Sequence, residues 1–177
     1  MNYNIAETLR AVLGTLLFLF IILPFFLIVI PYIFLSSPNH IYPFDIGVFR
    51  YLGLVPIILG VAIYLWCSHS FVFFGKGAPI QFTPIKNLMV TGLYRHVRNP
   101  MYIGALLIIV GEALLFQSKG LIIYALASFV VINFFVQFFE EPHLANKFGE
   151  TYERYCNSVS RWIPGLRPYR EEDSKIS

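Results

Sequence analysis

The chain has 177 residues, of which 57% are hydrophobic, 18% aromatic and only 13% charged, a balance that describes a membrane protein and excludes an ordinary soluble domain. Its formal net charge of +3 needs no nucleic-acid partner to explain it and is compatible with a basic surface facing lipid headgroups. No internal repeat or low-complexity stretch divides residues 1–177, so the chain reads as a single domain.

In chain order, Ala11 to Leu35 is the first long apolar run, without a charge between Arg10 and Asp45. It is too long for a signal-peptide core and is read as a retained helix, bent at Pro24 and Pro31. A second run extends over Phe49 to Phe74, and Met101 to Phe116 and Leu121 to Phe139 supply a third and fourth. A span needs about 20 apolar residues to cross the hydrocarbon layer, so about four transmembrane helices are expected. Between the second and third, Gly75 to Thr91 carries Gly75, Gly77, Pro79 and Pro84, and is read as a loop or a partly immersed crossing. Glu171 to Ser177 has the polar composition of a loose tail.

Four spans put Arg10, Lys76, Lys86, Arg95, Arg98, Lys147, Arg154, Arg161, Arg167, Arg170 and Lys175 on one side and only Arg50 and Lys119 on the other. By the positive-inside rule, both termini and the motifs described next are expected at the cytoplasmic face. Cys67 and Cys156 have no metal-ligand spacing and read as free thiols.

The third and fourth spans are joined only by Gln117-Ser118-Lys119-Gly120, a connection suited to antiparallel neighbours. Positions equidistant from that turn lie level. Asn133 falls beside Gly104, Gln137 beside Pro100, and Glu140 near Val97 and Arg98. Two polar motifs, Arg98-Asn99-Pro100-Met101-Tyr102-Ile103-Gly104 and Glu140-Glu141, therefore face each other at one membrane depth.

In the first motif Asn99 is expected to cap a helix that opens with Pro100 at its first position. The free N–H groups of Met101, Tyr102 and Ile103 then make a seat for a carboxylate or phosphate. Gly104 lets a ligand or a neighbouring helix approach the backbone, and Tyr102 adds a ring and a hydroxyl. In the second motif, adjacent carboxylates at the end of an apolar helix repel each other and lose hydration unless cations answer them. Arg95, Arg98, Arg161 or a cationic ligand could do so. Asn133 and Gln137 continue a polar stripe from Glu140 into the membrane.

Pro142 is expected to end the membrane helix at Glu141 and to open a new one. From His143 to Ser158, Leu144, Phe148, Tyr152, Tyr155 and Val159 recur at steps of three and four, the pattern of an amphipathic lid. Arg161-Trp162-Ile163-Pro164 then brings a cation and an interfacial aromatic back toward the motifs. The expected fold is all-α: a polytopic membrane protein with a cytoplasmic amphipathic C-terminal helix.

Taken together, R-N-P-x-Y-x-G, E-E-x-x-L, F-G-x-x-Y-x-x-Y and R-W-I-P over Thr91 to Pro164 resemble the integral-membrane methyltransferases of the isoprenylcysteine carboxyl methyltransferase and phospholipid N-methyltransferase group. The resemblance implies S-adenosylmethionine as donor and a hydrophobic or lipid-like acceptor drawn from the bilayer. It implies a donor site of Arg98, Asn99, Pro100, Met101, Tyr102, Gly104, Glu140 and Glu141, with Arg161, Glu140 and His143 bordering the reacting end. Where many relatives have His after the motif Arg this chain has Asn99, and before R-W-I-P it has Ser160 in place of Pro. Asn99 weakens the case for a histidine base there and leans toward a carboxylate acceptor, which needs none, over an ammonium.

Steroid reductase-like membrane enzymes share a related segment, which keeps an NADPH-dependent reductase open. A non-enzymatic lipid-binding scaffold, with glutamates that only pair with Arg98 and Arg161, is the other alternative. Glu112, deep in the third span, reads as a structural partner, and His69 and His96 as interfacial or hydrogen-bonded side chains.

Overall fold

The computed structural model describes residues 21–36, 45–70, 88 and 90–170, together with Leu13 and Leu17. The loop expected over 75–91, apart from Leu88, Val90 and Thr91, lies outside these residues. So do the tail 171–177, most of the first span before residue 21, and Arg10, Lys76, Lys86 and Lys175 of the charge asymmetry.

The described residues are all-helical. Helix α1 (Ile30–Ser36) follows a π-helical turn at Phe25–Val29, and α2 (Leu54–Ser70) follows a 3-10 stretch at Gly47–Gly53. A further 3-10 turn, Gly92–Arg95, leads to α3 (Pro100–Leu115), and α4 (Lys119–Phe135) returns antiparallel to it. Beyond the π-helical turn Val136–Glu140 lie α5 (Glu141–Phe148) and α6 (Glu150–Ser158).

Two stretches are long and apolar enough to cross a membrane, Gly47–Ser70 with 24 residues and Lys119–Phe148 with 30. Phe25–Ser36 and Pro100–Leu115 are shorter apolar helices, so among the described residues two of the four expected spans reach full length; most of the first expected span before residue 21 lies outside them. The 16 residues of α3 rise only about 24 Å, because Asn99-Pro100 fixes one end and the turn at Gln117, with φ 53°, fixes the other. Ser118 starts α4 as expected of a cap, its hydroxyl accepting from the Leu121 N–H at 3.4 Å.

What joins α2 to α3 is an absence of side chains. A Cβ on Gly53 would lie 2.5 Å from the Gly111 carbonyl oxygen, and one on Gly60 would lie 2.5 Å from that of Gly104. The reciprocal distances are 2.5 Å for Gly111 and 2.9 Å for Gly104. These antiparallel glycine pairs bring the two backbones into contact, the arrangement by which membrane helices associate when lipid removes the hydrophobic drive. Of the two partners expected for Gly104, ligand or helix, the structure shows the helix.

The junction at Pro142 differs from expectation. The membrane helix does not stop at Glu141; it continues through Pro142 to Phe148. The Glu141 N–H reaches the Val136 carbonyl, five residues back, and this wider turn makes the room for the proline ring that a regular α turn would deny. The same device precedes Pro31, where the Ile30 N–H bonds the Phe25 carbonyl. The lid, expected unbroken over His143 to Ser158, instead turns at Gly149, with φ 53° and ψ −133°, a conformation suited to glycine. Its apolar stripe packs as anticipated, Tyr152, Tyr155 and Val159 being buried among Leu144, Phe148, Leu88 and Tyr169.

Gly60→Ala therefore forces α2 and α3 apart. We expect it to cost about 1–3 kcal/mol, the usual range for overpacking, read as a lowered melting temperature in detergent. Gly165→Ala, whose new Cβ would be 3.6 Å from its nearest neighbour, should leave the melt unchanged.

Candidate functional site

The two motifs meet as the hairpin geometry requires. The Tyr102 hydroxyl donates to Glu140 Oε2 at 2.9 Å, and Arg98 Nη1 lies 3.0 Å from Glu141 Oε1. A third element joins them from the C-terminal side: Arg161 grips Glu141 in bidentate fashion, Nε to Oε1 at 2.8 Å and Nη2 to Oε2 at 2.7 Å. Such a planar fork matches a carboxylate better than a lysine could. The Glu141 hydrogen bonds push the Arg161 guanidinium further up from its already high range.

The adjacent glutamates have different surroundings. Glu141 is held between two guanidiniums, whereas Glu140 has the Tyr102 hydroxyl and, among the described residues, no cation within ion-pair distance. The polar stripe follows Glu141 rather than Glu140. Gln137 accepts from Arg161 Nη1 at 3.3 Å and Asn133 from the Trp162 indole at 2.8 Å, so positions 133, 137 and 141 form one row facing the C-terminal segment.

That segment is strapped to the start of the first motif by its backbone. The Arg98 N–H donates to the Ser160 carbonyl at 3.0 Å and the Gly165 N–H to the His96 carbonyl at 2.8 Å. His96 Nδ1 lies 2.7 Å from the Gly165 carbonyl. Arg95 and Tyr169 exchange two bonds, the Tyr169 N–H to the Arg95 carbonyl at 2.9 Å and Arg95 Nε to the Tyr169 carbonyl at 2.8 Å. His96 is thus a hydrogen-bonded structural residue, as the sequence reading had it.

Asn99 is buried at the head of α3, yet its side chain makes no capping bond. Its amide nitrogen donates instead to the Arg161 carbonyl at 3.2 Å, so the expected cap is replaced by a tie to the strap. Pro100 occupies the first turn and is fully buried. Met101 packs against Cys67 and Tyr94. His143 is exposed and is absent from the cleft lining. Glu112 lies three turns from the motifs on α3, with a buried Oε2 that lacks a hydrogen-bond partner.

Between the motifs lies a cleft of about 80 Å³ lined by Leu88, Tyr94, Arg98, Asn99, Val136, Glu140, Glu141, Leu144, Phe148, Tyr152 and Tyr155. It is small beside the roughly 300–1,000 Å³ of typical ligand sites, so a nucleoside-sized molecule would extend beyond it. Arg98 Nε is buried without a hydrogen-bond partner, a donor left over at the site. Arg98 Nη1 also donates to Cys156 Sγ at 2.8 Å, a contact that the reading of Cys156 as a plain free thiol missed. Tyr94 was missed too; its place one turn before Arg98 was the available signal. Its carbonyl accepts from the Tyr155 hydroxyl at 2.6 Å. Burial raises the Tyr94, Tyr152 and Tyr155 phenols well above the usual tyrosine range.

Residues 48–151 match the phospholipid methyltransferase family. The chain belongs to that family. The match starts well before Thr91, so α2 is part of the family's common unit, and it ends before Arg161. Two similar proteins are each named phosphatidylethanolamine N-methyltransferase. The one from Paracoccidioides brasiliensis (strain Pb03) is 29% identical over 140 residues, 71% of this chain and 14% of its own length. The one from Ajellomyces dermatitidis (strain ER-3 / ATCC MYA-2586) is 30% identical over 127 residues, 64% of this chain and 13% of its own length. The chain thus spans about a seventh of the curated relatives it matches. No solved structure matches it. Family membership and the apolar helices together identify an integral membrane protein.

Two outcomes test this geometry. Glu141→Gln strands Arg98 and Arg161 without their carboxylate. We expect a loss of about 2–3 kcal/mol in chemical denaturation, less than the roughly 3–5 of a fully buried pair, because Arg161 keeps 27% of its side-chain surface exposed. The raised phenols fix a pH dependence. Unfolded tyrosine ionises near pH ~10, and a group whose folded pKa is higher stabilises below that value and loses its contribution as pH rises. Stability should therefore fall above pH ~10, and Tyr152→Phe should flatten the fall.

Proposed function

We propose that the chain catalyses S-adenosylmethionine-dependent methylation of a phospholipid headgroup amine at the cytoplasmic face of the bilayer. The observation that carries this reading is Glu140, a cleft-lining carboxylate with one hydroxyl partner, opposite a helix N-terminus and a guanidinium with an unused N–H.

The residues present fit such a donor. Glu140 would attract its ammonium and sulfonium, while Arg98 Nε and the N–H groups of Met101 and Tyr102 would receive its carboxylate; the Ile103 N–H, also expected to be free, instead donates to the Asn99 carbonyl at 3.2 Å. Tyr94, Phe148 and Tyr152 offer aromatic surface for a purine. Bound there, S-adenosylmethionine would supply an electrophilic methyl group. The chain's own task is to align donor and acceptor in line and to exclude water, and no protein nucleophile is required. An ammonium acceptor must lose a proton before it attacks. Among the described residues of the cleft, Glu140 is the carboxylate not held by a cation and the group available to receive it.

Arg161 is assigned a positioning role, because its guanidinium is engaged by Glu141 and Gln137. Gly104, backed onto Gly60, sets the height of α3 rather than touching the donor. His143 has no part in this assignment. The names of the relatives favour an amine over the prenylcysteine carboxylate, and the eleven-to-two distribution of basic residues supports the cytoplasmic placement. A scaffold whose glutamates serve only as ion-pair partners accounts for Glu141 but leaves Glu140 without a purpose.

Calorimetric titration with S-adenosylmethionine and with its demethylated product tests the proposal. Wild-type protein should bind both. Glu140→Gln and Arg98→Ala should each weaken binding at least tenfold, about 1.4 kcal/mol or more, and should lose methyl transfer to phosphatidylethanolamine in proportion. Binding of NADPH in place of both ligands would overturn the reading in favour of a reductase.

A further inference from the structure

The strap that follows α6 carries exposed apolar side chains. Ile163 is 75% exposed and Leu166 99% exposed, with Pro164 and Gly165 also exposed between them. An aliphatic side chain left in water forgoes roughly 1.5–3 kcal/mol of burial. Collapse onto the protein is prevented because the backbone is pinned on both sides, at Ser160 to Arg98, at Gly165 to His96 and at Tyr169 to Arg95. The strap holds these side chains out.

Their surroundings indicate what covers them. Trp162, beside Ile163, bonds Asn133 through its indole and packs its ring 5.4 Å from that of Phe129. Phe129 precedes Glu140 by eleven residues, roughly 16 Å along a helix, so the indole extends from the level of the glutamates toward the apolar body of α4. Elsewhere on α4, Val130, Val131 and Phe134 are each more than half exposed, as on a lipid-facing helix. Ile163 and Leu166 are exposed in the same way, and Arg167 and Arg170 follow, exposed. A tryptophan, aliphatic side chains and flanking arginines in this order match the membrane–water boundary.

We propose that segment 160–170 is an interfacial membrane anchor, with Trp162, Ile163 and Leu166 seated at the acyl–headgroup boundary of the leaflet that borders the glutamate pair. Its recognition is apolar: Glu171, Glu172 and Asp173 follow immediately and offset its arginines, so anionic lipid is not required. Because Arg161 leads the same segment into Glu141, seating of the anchor ties the Glu141 junction to the bilayer.

The chain's two tryptophans are Trp66 and Trp162, which makes fluorescence decisive. Trp66→Phe isolates Trp162, and Trp66→Phe combined with Leu166→Trp adds a reporter at the tip while leaving the Trp162 contacts in place. Both are reconstituted in phosphatidylcholine bilayers, unlabelled or brominated near the headgroup end or near the methyl end of the chains. We expect blue-shifted emission from both positions and stronger quenching by bromine near the headgroup end. Added emission from position 166 that is red-shifted as in water and unquenched by either lipid would overturn the anchor, as would quenching strongest at the methyl end. Neither measurement involves a donor or an acceptor, so the result stands apart from that of the proposed reaction.

Discussion

The Glu141 carboxylate is the junction on which the polar end of this bundle depends. Three parts of the chain with no local reason to meet, the approach to α3, the junction of α4 and α5 and the strap after α6, are brought together by Arg98 and Arg161 on one acidic group. Partly buried, with side-chain exposures of 27% for Arg161 and 16% for Glu141, such a junction when broken leaves charges short of other partners. Asn99 and Gln137 reinforce it by bonding the carbonyl and guanidinium of Arg161. The neighbouring glutamate is thereby released from a structural role.

Helix spacing makes that junction possible. The glycine pairs set α2 against α3 at backbone contact, which places Tyr94 and Met101 against Cys67 and positions the head of α3 under the cleft. The π-helical turn at Val136–Glu140 carries the helix past Pro142 without a break. In consequence Glu140 faces Tyr102 while Glu141 stays in the row of Gln137 and Asn133. Irregular turns of this kind recur at functional positions because they re-aim side chains without ending a helix.

The proposed methyl transfer to a phospholipid would need reacting groups kept dry on one side and within reach of headgroups on the other. Here the dry side is provided by the tyrosines of α6 and by Phe148, and the headgroup side by a strap whose apolar tip points outward.

The sequence alone determined what depends on composition and local spacing. The apolar class, the antiparallel hairpin, the approach of Arg98 and Tyr102 to the glutamates and the buried stripe of the lid all follow from run length, a short turn and periodicity. Proline and asparagine misled where tertiary contacts overrode local preference. Asn99 gave up its cap to bond Arg161, and Pro142 was absorbed by a wider turn. Which glutamate takes the arginines, which keeps only a tyrosine hydroxyl, and that Gly104 serves a helix contact were decided only in three dimensions. Each depends on how far apart two backbones lie and which way one turn rotates, and neither quantity is written in the spacing of residues along a single chain.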